Sequence, residues 1–316
     1  MPNLPCLPFL RRPRGAPHSP DSPQRGVAAR RVLAAGLAAL TVLLAGCTAL
    51  PVDTRHLAQG QDSRAQFLIL HFTDADLPRS LQILTQQQVS AHYLLGDQSP
   101  PVIYRLVDEN RRAWHAGLSY WKGQTQLNAS SIGIEIVNPG LITLADGSTG
   151  FAPYPQAQID LLIRLVLDIV ARHQIRPDRI LGHSDIAPQR KIDPGAAFPW
   201  RRLADAGLIA WPDASKVAAY QVGYEATLPD TAWFQQSLAR LGYQVPDGGV
   251  LDAPTRRVLA AFQMKYRPAR YDGTPDAECA ALLQVLLDNG ASPAPVLAAD
   301  RAGALATLPL PVPVLR

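Results

Sequence analysis

Residues 131–137 have the sequence Ser-Ile-Gly-Ile-Glu-Ile-Val, in which apolar residues alternate with Gly133 and Glu135. This period of two predicts a strand near the centre of a sheet. Residues 67–70, Phe-Leu-Ile-Leu, are wholly apolar, which is typical of a buried strand. Residues 91–95 and 102–107 are the next strand candidates. A turn that contains Gly96-Asp97 and Pro100-Pro101 separates them. The first half of the chain therefore predicts a sheet of several short strands.

Helical patterns are interleaved with these strands. Residues 155–173 carry apolar side chains at positions that lie on one face of a helix, and residues 78–88 and 200–206 have shorter helical patterns. Residues 180–183 indicate another short strand, which leads into a loop over 184–198 that is rich in proline and glycine. Such interleaving predicts an α/β domain over residues 64–215, with a central mixed β-sheet flanked by helices.

A second, smaller domain is predicted after a break in composition. Residues 216–227 are interpreted as a linker, and residues 228–290 as a small three-helix domain, with helices over 253–264 and 276–287. The tail, residues 291–316, is rich in alanine, proline and leucine and is predicted to be disordered.

The N-terminal segment has the features of an export signal. Arg30-Arg31 precede an apolar run over residues 32–44, which ends in Leu44-Ala45-Gly46-Cys47. The run is shorter than the roughly 20 residues that a membrane-spanning helix needs. Residues 1–47 are therefore predicted to be a lipoprotein signal peptide that ends at a lipidated Cys47, and residues 48–63 a tether. The alternative is a short buried helix with an incidental cysteine.

Charge argues against a nucleic-acid-binding protein, and cysteine content argues against a catalytic cysteine. The net charge of +4 comes from residues 1–46, which hold six arginines and one aspartate, so the rest of the chain is close to neutral. No basic face for nucleic acid is expected. Apart from Cys6 and Cys47 the chain contains only Cys279, which lies in an apolar helical pattern and is interpreted as a buried structural residue.

Three residues are candidate metal ligands. His71 and His183 each follow a predicted strand, and Asp193 lies in the loop after the second one. Two histidines and a carboxylate suit a catalytic zinc ion, which takes three protein ligands and keeps a fourth position for water. The spacing alone leaves open that the histidines are hydrogen-bonded structural residues, since no His-Glu-x-x-His motif is present.

Four motifs occur in the order found in a known family. They are Leu70-His71-Phe72-Thr73, Ala113-Trp114-His115-Ala116-Gly117, residues 128–138 (Asn-Ala-Ser-Ser-Ile-Gly-Ile-Glu-Ile-Val-Asn), and Gly182-His183-Ser184-Asp185-Ile186-Ala187-Pro188. This set resembles the type 2 zinc-dependent N-acetylmuramoyl-L-alanine amidases, which are related to bacteriophage T7 lysozyme and to peptidoglycan recognition proteins. The resemblance covers about residues 64–290, and within the family the lipoprotein amidases of enteric bacteria are the most similar.

The resemblance implies a role for each matching residue. It implies that His71, His183 and Asp193 bind one zinc ion per chain, that Glu135 is the catalytic acid, and that Lys191 is the catalytic lysine. The implied reaction is hydrolysis of the amide bond between N-acetylmuramic acid and the L-alanine of the stem peptide. A buried carboxylate at position 135 would be costly without a metal or base nearby, which independently favours a function for it.

Three further residues are weaker candidates for substrate contact. His115 is expected to line the cleft or to hydrogen-bond a ligand, whereas Trp121 and Asn128 are candidates for contact with sugar or peptide. A packed tryptophan and a turn asparagine are equally compatible with the sequence.

The C-terminal helices resemble the common three-helix peptidoglycan-binding domain. The matching features are Phe234-Gln235-Gln236-Ser237-Leu238, Leu241-Gly242-Tyr243, Asp252 with Thr255, Phe262-Gln263, and Tyr271-Asp272-Gly273-Thr274-Pro275-Asp276. The resemblance implies peptidoglycan and muropeptides as partners. A helical lid that binds no ligand is the alternative.

Together these features predict a lipid-anchored periplasmic enzyme. By resemblance to lipoproteins of enteric bacteria, Thr48 after the cysteine implies the outer membrane. Two other functions stay open: a non-catalytic peptidoglycan-binding lipoprotein, and a zinc peptidase that cuts within the stem peptide.

Overall fold

The computed structural model describes residues 50 and 52–289, and the chain divides into two compact units after Gly60. The described part of the first unit is an exposed segment without helix or strand. The second unit begins at Gln61. The predicted signal peptide with Cys47 and the predicted tail, 291–316, lie outside the described residues. Within the described part of the chain, no helix has both the length and the apolar character that crossing a bilayer requires.

A five-stranded mixed sheet forms the centre of this unit. Its strands are β1 (Phe67–Phe72), β2 (Tyr93–Leu95), β3 (Ile103–Arg105), β6 (Ser131–Ile136) and β9 (Ile180–Gly182), in the order β3-β2-β6-β1-β9. Strand β1 is parallel to β6 on one side and to β9 on the other; β6 is also parallel to β2, and β3 is an antiparallel edge strand. The predicted fold class and all five predicted strands are confirmed.

Two short hairpins lie outside this sheet, and neither was predicted. They are formed by β4 (Tyr120–Trp121) with β5 (Gln124–Thr125), and by β7 (Leu141–Thr143) with β8 (Thr149–Phe151). The α-helices are α1 (Leu77–Gln86), α2 (Gln156–His173), α3 (His183–Ile186), α4 (Trp200–Asp205), α5 (Ala214–Ala226), α6 (Thr231–Leu241), α7 (Ala253–Tyr266) and α8 (Ala277–Asp288).

Both faces of the sheet are buried, and alternate residues of β1 face opposite sides. Leu68 and Leu70 pack in an apolar cluster with α2, whereas Phe67 and Ile69 belong to a second cluster that contains the helices α6, α7 and α8. Successive side chains of a strand point to opposite faces, so the next residue on the C-terminal-helix side is His71. The packing of β1 therefore determines which face carries His71.

The segment predicted as a linker, residues 216–227, is instead the helix α5. Asp213 caps its N-terminus by accepting a hydrogen bond from the Lys216 amide at 3.0 Å. Tyr220 and Tyr224 donate to Asp288 and Gln284 of α8, at 2.7 and 3.1 Å. None of the α5 side chains is buried, so the helix lacks the apolar stripe by which sequence patterns identify helices.

The three predicted C-terminal helices are present, and each begins after an aspartate. Asp230, Asp252 and Asp276 accept hydrogen bonds from the amides of Trp233, Thr255 and Cys279 at 2.8–2.9 Å. Each such cap stabilises a helix by about 1 kcal/mol. As expected, Cys279 is fully buried, and burial raises the pKa of its thiol to about 12.

Glu109 ties the loop that precedes His115 to the end of α2. Its carboxylate accepts hydrogen bonds from the Tyr93 hydroxyl at 2.6 Å, from Arg172 at 2.9 Å and from His173 at 2.9 Å. Burial alone would raise the pKa of Glu109, but these bonds, the one from Arg172 foremost, outweigh burial and lower it to about 2. This carboxylate therefore stabilises the folded state when it is charged.

We expect Glu109→Gln to reduce the loss of stability in acid. A pKa lower in the folded than in the unfolded chain contributes stability that is complete above pH 4.5 and disappears as the pH falls towards 2. The free energy of unfolding in urea, measured at pH 6 and pH 3, should therefore fall further in the wild type than in the variant. Glu225→Gln, an exposed site on α5, is the control. An equal acid loss in Glu109→Gln and the wild type would contradict the assignment.

Candidate active site

The register between β1 and β6 places His71 beside Glu135. The two residues are Cα partners in adjacent parallel strands, so their side chains lie on the same face near the carboxyl ends of both strands. His71 is 1% exposed. Two predicted functional residues, distant in the sequence, are thus brought together by strand pairing.

His183 and Asp193 approach His71 from the other side. His183 directly follows β9, which pairs with β1, and it begins the one-turn helix α3. The carbonyl oxygen of Asp193 accepts a hydrogen bond from the Ser184 amide at 2.8 Å, which holds the later loop against this turn. Both side chains are buried.

Three side-chain atoms of these residues converge. His71 Nδ1 is 2.9 Å from His183 Nδ1 and 3.0 Å from Asp193 Oδ2, and His183 Nδ1 is 3.1 Å from Asp193 Oδ2. Within the described part of the chain, this is the one group of three or more histidine, cysteine or acidic side chains close enough together to hold a metal ion. The donor set, two imidazole nitrogens and one carboxylate oxygen, is one that zinc takes in catalytic sites.

Hydrogen bonds at the far nitrogens fix the tautomer of His71. Ser131 Oγ donates to the Leu127 carbonyl at 2.6 Å, so it can only accept from His115 Nε2, at 3.1 Å. His115 Nδ1 then carries no proton and accepts one from His71 Nε2, at 3.0 Å. This chain leaves the lone pair of His71 Nδ1 directed at the cluster, as a metal ligand requires.

His183 is oriented by a similar bond. Its Nε2 donates to the Ala116 carbonyl at 3.2 Å, which leaves the lone pair on Nδ1. Arg190 Nη2 lies 3.3 Å from the same nitrogen, but its protons are directed at carbonyl oxygens. The Ala116 carbonyl accepts a short hydrogen bond from Arg190, whose Nη2 also donates to the Leu118 carbonyl at 2.8 Å. Both histidines therefore direct an unprotonated Nδ1 at the cluster, as the binding of a cation requires. Sequence reasoning missed Ser131 and Arg190, because neither belongs to a recognisable ligand pattern.

The protonation states also suit metal binding, which requires deprotonated ligands. Burial, with the neighbouring His183, lowers the pKa of His71 to about 4, so the ring is neutral at pH 7. Burial by itself would raise the pKa of Asp193, but the histidines beside it hold that pKa far below its usual range. His71 thus presents a neutral imidazole to the cluster, and Asp193 presents a charged carboxylate.

His115 occupies space that Gly133 leaves free. A Cβ atom at position 133 would lie 2.4 Å from Cγ of His115, so any larger residue there would displace the ring. Burial, with the neighbouring His71, keeps the pKa of His115 well below its usual value. His115 also lines the cavity in front of the cluster, so it combines the two roles considered for it.

Glu135 is half-buried, and its carboxyl group has unused hydrogen-bonding capacity. Its Oε2 is inaccessible to solvent and has no hydrogen-bond partner in the described part of the chain. Burial, reinforced by the negative charge of Asp193, raises the pKa of Glu135 well above the usual value, and Lys191 opposes the shift. A carboxyl group in this environment holds a proton more tightly than an exposed one, which suits a group that accepts a proton and returns it.

A cavity of about 390 Å³ opens in front of these groups. Glu135, Lys191 and the three clustered residues line it, together with Trp114, which is 51% exposed. Lys191 is exposed, so its charge is available to a bound molecule. The volume falls within the range typical of small-molecule sites.

Trp121 and Asn128, the two other candidates for substrate contact, do not line this cavity. Trp121 is 5% exposed, packs edge-on against Tyr243, and donates from Nε1 to the Asp178 carbonyl at 3.1 Å. Asn128 Oδ1 accepts hydrogen bonds from the amides of His115 and Ala116, at 3.0 and 2.7 Å. Asn128 therefore supports the loop that carries His115, whereas Trp121 holds its own hairpin against Tyr243 and Asp178.

A mixed sheet that presents two histidines, an aspartate and a nearby half-buried glutamate has the arrangement used by mononuclear zinc hydrolases. Comparison with known proteins narrows this class. Residues 61–196 match the family model for N-acetylmuramoyl-L-alanine amidase, and residues 227–283 match that for a peptidoglycan binding domain. The chain is 47% identical over 245 residues to the N-acetylmuramoyl-L-alanine amidase AmiD of Escherichia coli K12, an alignment that covers 75% of this chain and 88% of AmiD.

Solved structures agree with the sequence comparison. A complex of E. coli AmiD with anhydro-N-acetylmuramic acid-L-Ala-D-γ-Glu-L-Lys superimposes with a TM-score of 0.69 at 45% identity, covering 77% of this chain and 96% of AmiD. AmpDH3 of Pseudomonas aeruginosa, in complex with anhydromuramic pentapeptide, gives a TM-score of 0.70 at 38% identity, covering 77% and 99%. The chain belongs to the N-acetylmuramoyl-L-alanine amidase family.

Proposed function

We propose that this enzyme hydrolyses the amide bond between the lactyl group of N-acetylmuramic acid and the L-alanine of the stem peptide, in peptidoglycan and muropeptides, for cell-wall turnover or remodelling. The observation that carries the proposal is the unpartnered carboxyl group of Glu135 in one cavity with the cluster of His71, His183 and Asp193. Amide hydrolysis requires a group that moves protons beside a centre that polarises the carbonyl, and this cavity brings both together.

His71, His183 and Asp193 would hold one zinc ion. Two imidazoles, whose second nitrogens bond to His115 and to the Ala116 carbonyl, and one carboxylate support this assignment. When bound, zinc acts as a Lewis acid and makes water acidic enough to be deprotonated near neutral pH.

Glu135 is assigned to proton transfer. Its carboxylate accepts a proton from the attacking water and returns it to the amine of L-alanine, which must be protonated to leave. The burial that raises the pKa of this group supports the assignment, because a carboxyl group of ordinary acidity would return the proton poorly at neutral pH.

Lys191 is assigned to stabilising the oxyanion that forms when the carbonyl is attacked. Its side chain is exposed at the edge of the cavity, and its charge reaches Glu135 and His71, where it lowers the pKa of both. In other hydrolases, loss of one such stabilising donor costs about 3–4 kcal/mol.

Two other activities are less well supported. A non-catalytic peptidoglycan-binding protein would not need a complete ligand set with fixed tautomers. A zinc peptidase acting within the stem peptide would cut a different bond, which the products distinguish.

The products and the metal test the reaction together. Digestion of peptidoglycan should release stem peptides with a free L-alanine amine and glycan strands with free lactyl carboxylates, both identifiable by mass spectrometry. We expect about one zinc per chain, and His183→Ala should lose both zinc and activity because only two ligands remain. His56→Ala, which changes an exposed histidine that is not one of the three clustered residues, is the control. Full activity of metal-depleted enzyme, or cleavage within the stem peptide, would refute the proposal.

Glu135 is separable from the ligands by substitution. Glu135→Gln should keep the fold and the zinc but lower kcat by about 10²–10⁴-fold, because an amide cannot accept and return a proton. Lys191→Ala should also retain zinc, whereas His71→Ala should not. Metal content and kcat are measured side by side in the three variants. Loss of zinc from Glu135→Gln would make Glu135 a ligand, and normal turnover would remove it from the mechanism.

We further propose that the enzyme is a lipoprotein of the outer membrane, exposed to the periplasm and anchored through Cys47. Arg30-Arg31, the apolar run 32–44 and Leu44-Ala45-Gly46-Cys47 support this location. The C-terminal helices would add a second contact with peptidoglycan.

Cys47→Ala tests the anchor. Without the thiol that receives the lipid, the variant should accumulate as an uncleaved precursor or a soluble form and should not incorporate labelled fatty acid. Cys6→Ala, which changes the other N-terminal cysteine, should label and fractionate like the wild type. Labelling of Cys47→Ala at the wild-type level would contradict the proposal.

A further inference from the structure

Asp185 is a buried carboxylate in the one-turn helix that begins with His183. It is 1% exposed, and its Oδ2 accepts a hydrogen bond from the Gly182 amide at 2.8 Å. This bond connects the end of the turn to the last residue of β9. Asp185 and His183 therefore belong to the same helical turn, and the Asp185 carboxylate bonds to groups outside the cluster of His71, His183 and Asp193.

The remaining bonds to this carboxylate come from the C-terminal helical region. The Tyr243 hydroxyl, just after α6, donates to Asp185 Oδ1 at 2.6 Å, and Lys265 Nζ on α7 donates to Oδ2 at 2.8 Å. Lys265 is 5% exposed; it also donates to the Ile180 carbonyl at 3.3 Å and lies 4.3 Å from the ring centroid of Trp200. Both donors therefore bind the end of β9 and the helical turn that follows it.

A buried charge that loses its partner is strongly destabilising, so the α3 turn depends on these two donors. The turn carries His183, whose Nδ1 must stay near 3 Å from the atoms of His71 and Asp193. Any shift that lets Asp185 reach water would move that nitrogen away from the cluster.

We propose that Tyr243 and Lys265 are positioning residues: by holding Asp185 they fix His183 in the metal-binding cluster, so the C-terminal helices are a structural part of the metal centre. This inference rests on the proposed zinc site. It differs from a purely anchoring role, in which these helices would contribute to wall binding alone.

Apolar packing could hold α3 without these donors. Ile186 and Ala187 share an apolar cluster with Phe262 and Leu283 of the C-terminal helices. Packing of this kind survives Tyr243→Phe, which removes only a hydroxyl group. The same substitution does remove the hydrogen bond from Tyr243 to Asp185 on which the positioning role depends, and this difference defines the experiment.

The test compares Tyr243→Phe and Lys265→Met with two matched controls. Tyr266→Phe and Lys122→Met alter the same residue types around the same small cavity, but neither control side chain hydrogen-bonds Asp185. The readouts are the Kd for zinc, the visible absorption spectrum of the cobalt-substituted protein, and kcat and KM. Circular dichroism and thermal unfolding establish that each variant is folded.

We expect Lys265→Met to bind zinc about 10-fold more weakly, as loss of an outer support typically does, and Tyr243→Phe to show a smaller change in the same direction. The cobalt spectrum should change in both variants because the ligand geometry changes, and kcat should fall more than KM rises. Both controls should match the wild type.

A double variant keeps the test decisive should Lys265→Met unfold. Asp185→Asn with Lys265→Met removes both charges, so it should recover stability while zinc binding stays weak. Wild-type zinc affinity and cobalt spectra in Tyr243→Phe and the double variant would overturn the inference, as would equal losses in the two controls. If the wild type itself binds no zinc, the proposed function fails instead.

Discussion

The alternation of side chains along β1 governs both the core and the site. Leu68 and Leu70 are buried on the α2 side, whereas Phe67 and Ile69 are buried against the C-terminal helices. Since both faces are packed, a slip of one residue would place every apolar side chain of this strand in the wrong cluster. The same register points His71 towards Glu135 and the carboxyl end of β9. Catalytic geometry and core packing are therefore consequences of a single constraint, and the stability of the core maintains the site.

Strand register places the histidines, but hydrogen bonds decide which nitrogen faces the cluster. The chain from Leu127 through Ser131 and His115 to His71 assigns every proton along it. Because burial keeps these rings neutral, no alternative charged form competes at pH 7. Against this background of satisfied polar groups, the unpartnered oxygen of Glu135 stands out. A buried polar atom without a partner costs stability, and such atoms are retained where chemistry uses them.

The parts of the molecule that follow from local patterns were predictable from the sequence. The alternation of residues 131–137 and the apolar run before His71 identify β6 and β1, and residues that follow strands are natural candidates for a site. Lys191 lies in a loop, where no periodicity exists, so only family resemblance indicated it. The sequence left open whether Trp121 is packed or contacts substrate, because the residues that hold its hairpin, Tyr243 and Asp178, are distant in sequence.

Long-range contacts likewise hid the relation between the two parts of the chain. Asp185 and Lys265 are 80 positions apart, and nothing in either local sequence indicates that they pair. Their bond, together with the apolar cluster that joins Ile186 to Phe262, replaces a flexible connection with a packed one. For two sites on a flexible linker, the gain in effective concentration is set by linker length and stiffness. Where the connection is packed, the gain depends on whether one glycan strand can reach both sites in a fixed geometry. Wall binding by the C-terminal helices would then select which bonds along a strand reach the cavity, in addition to retaining the enzyme at its substrate.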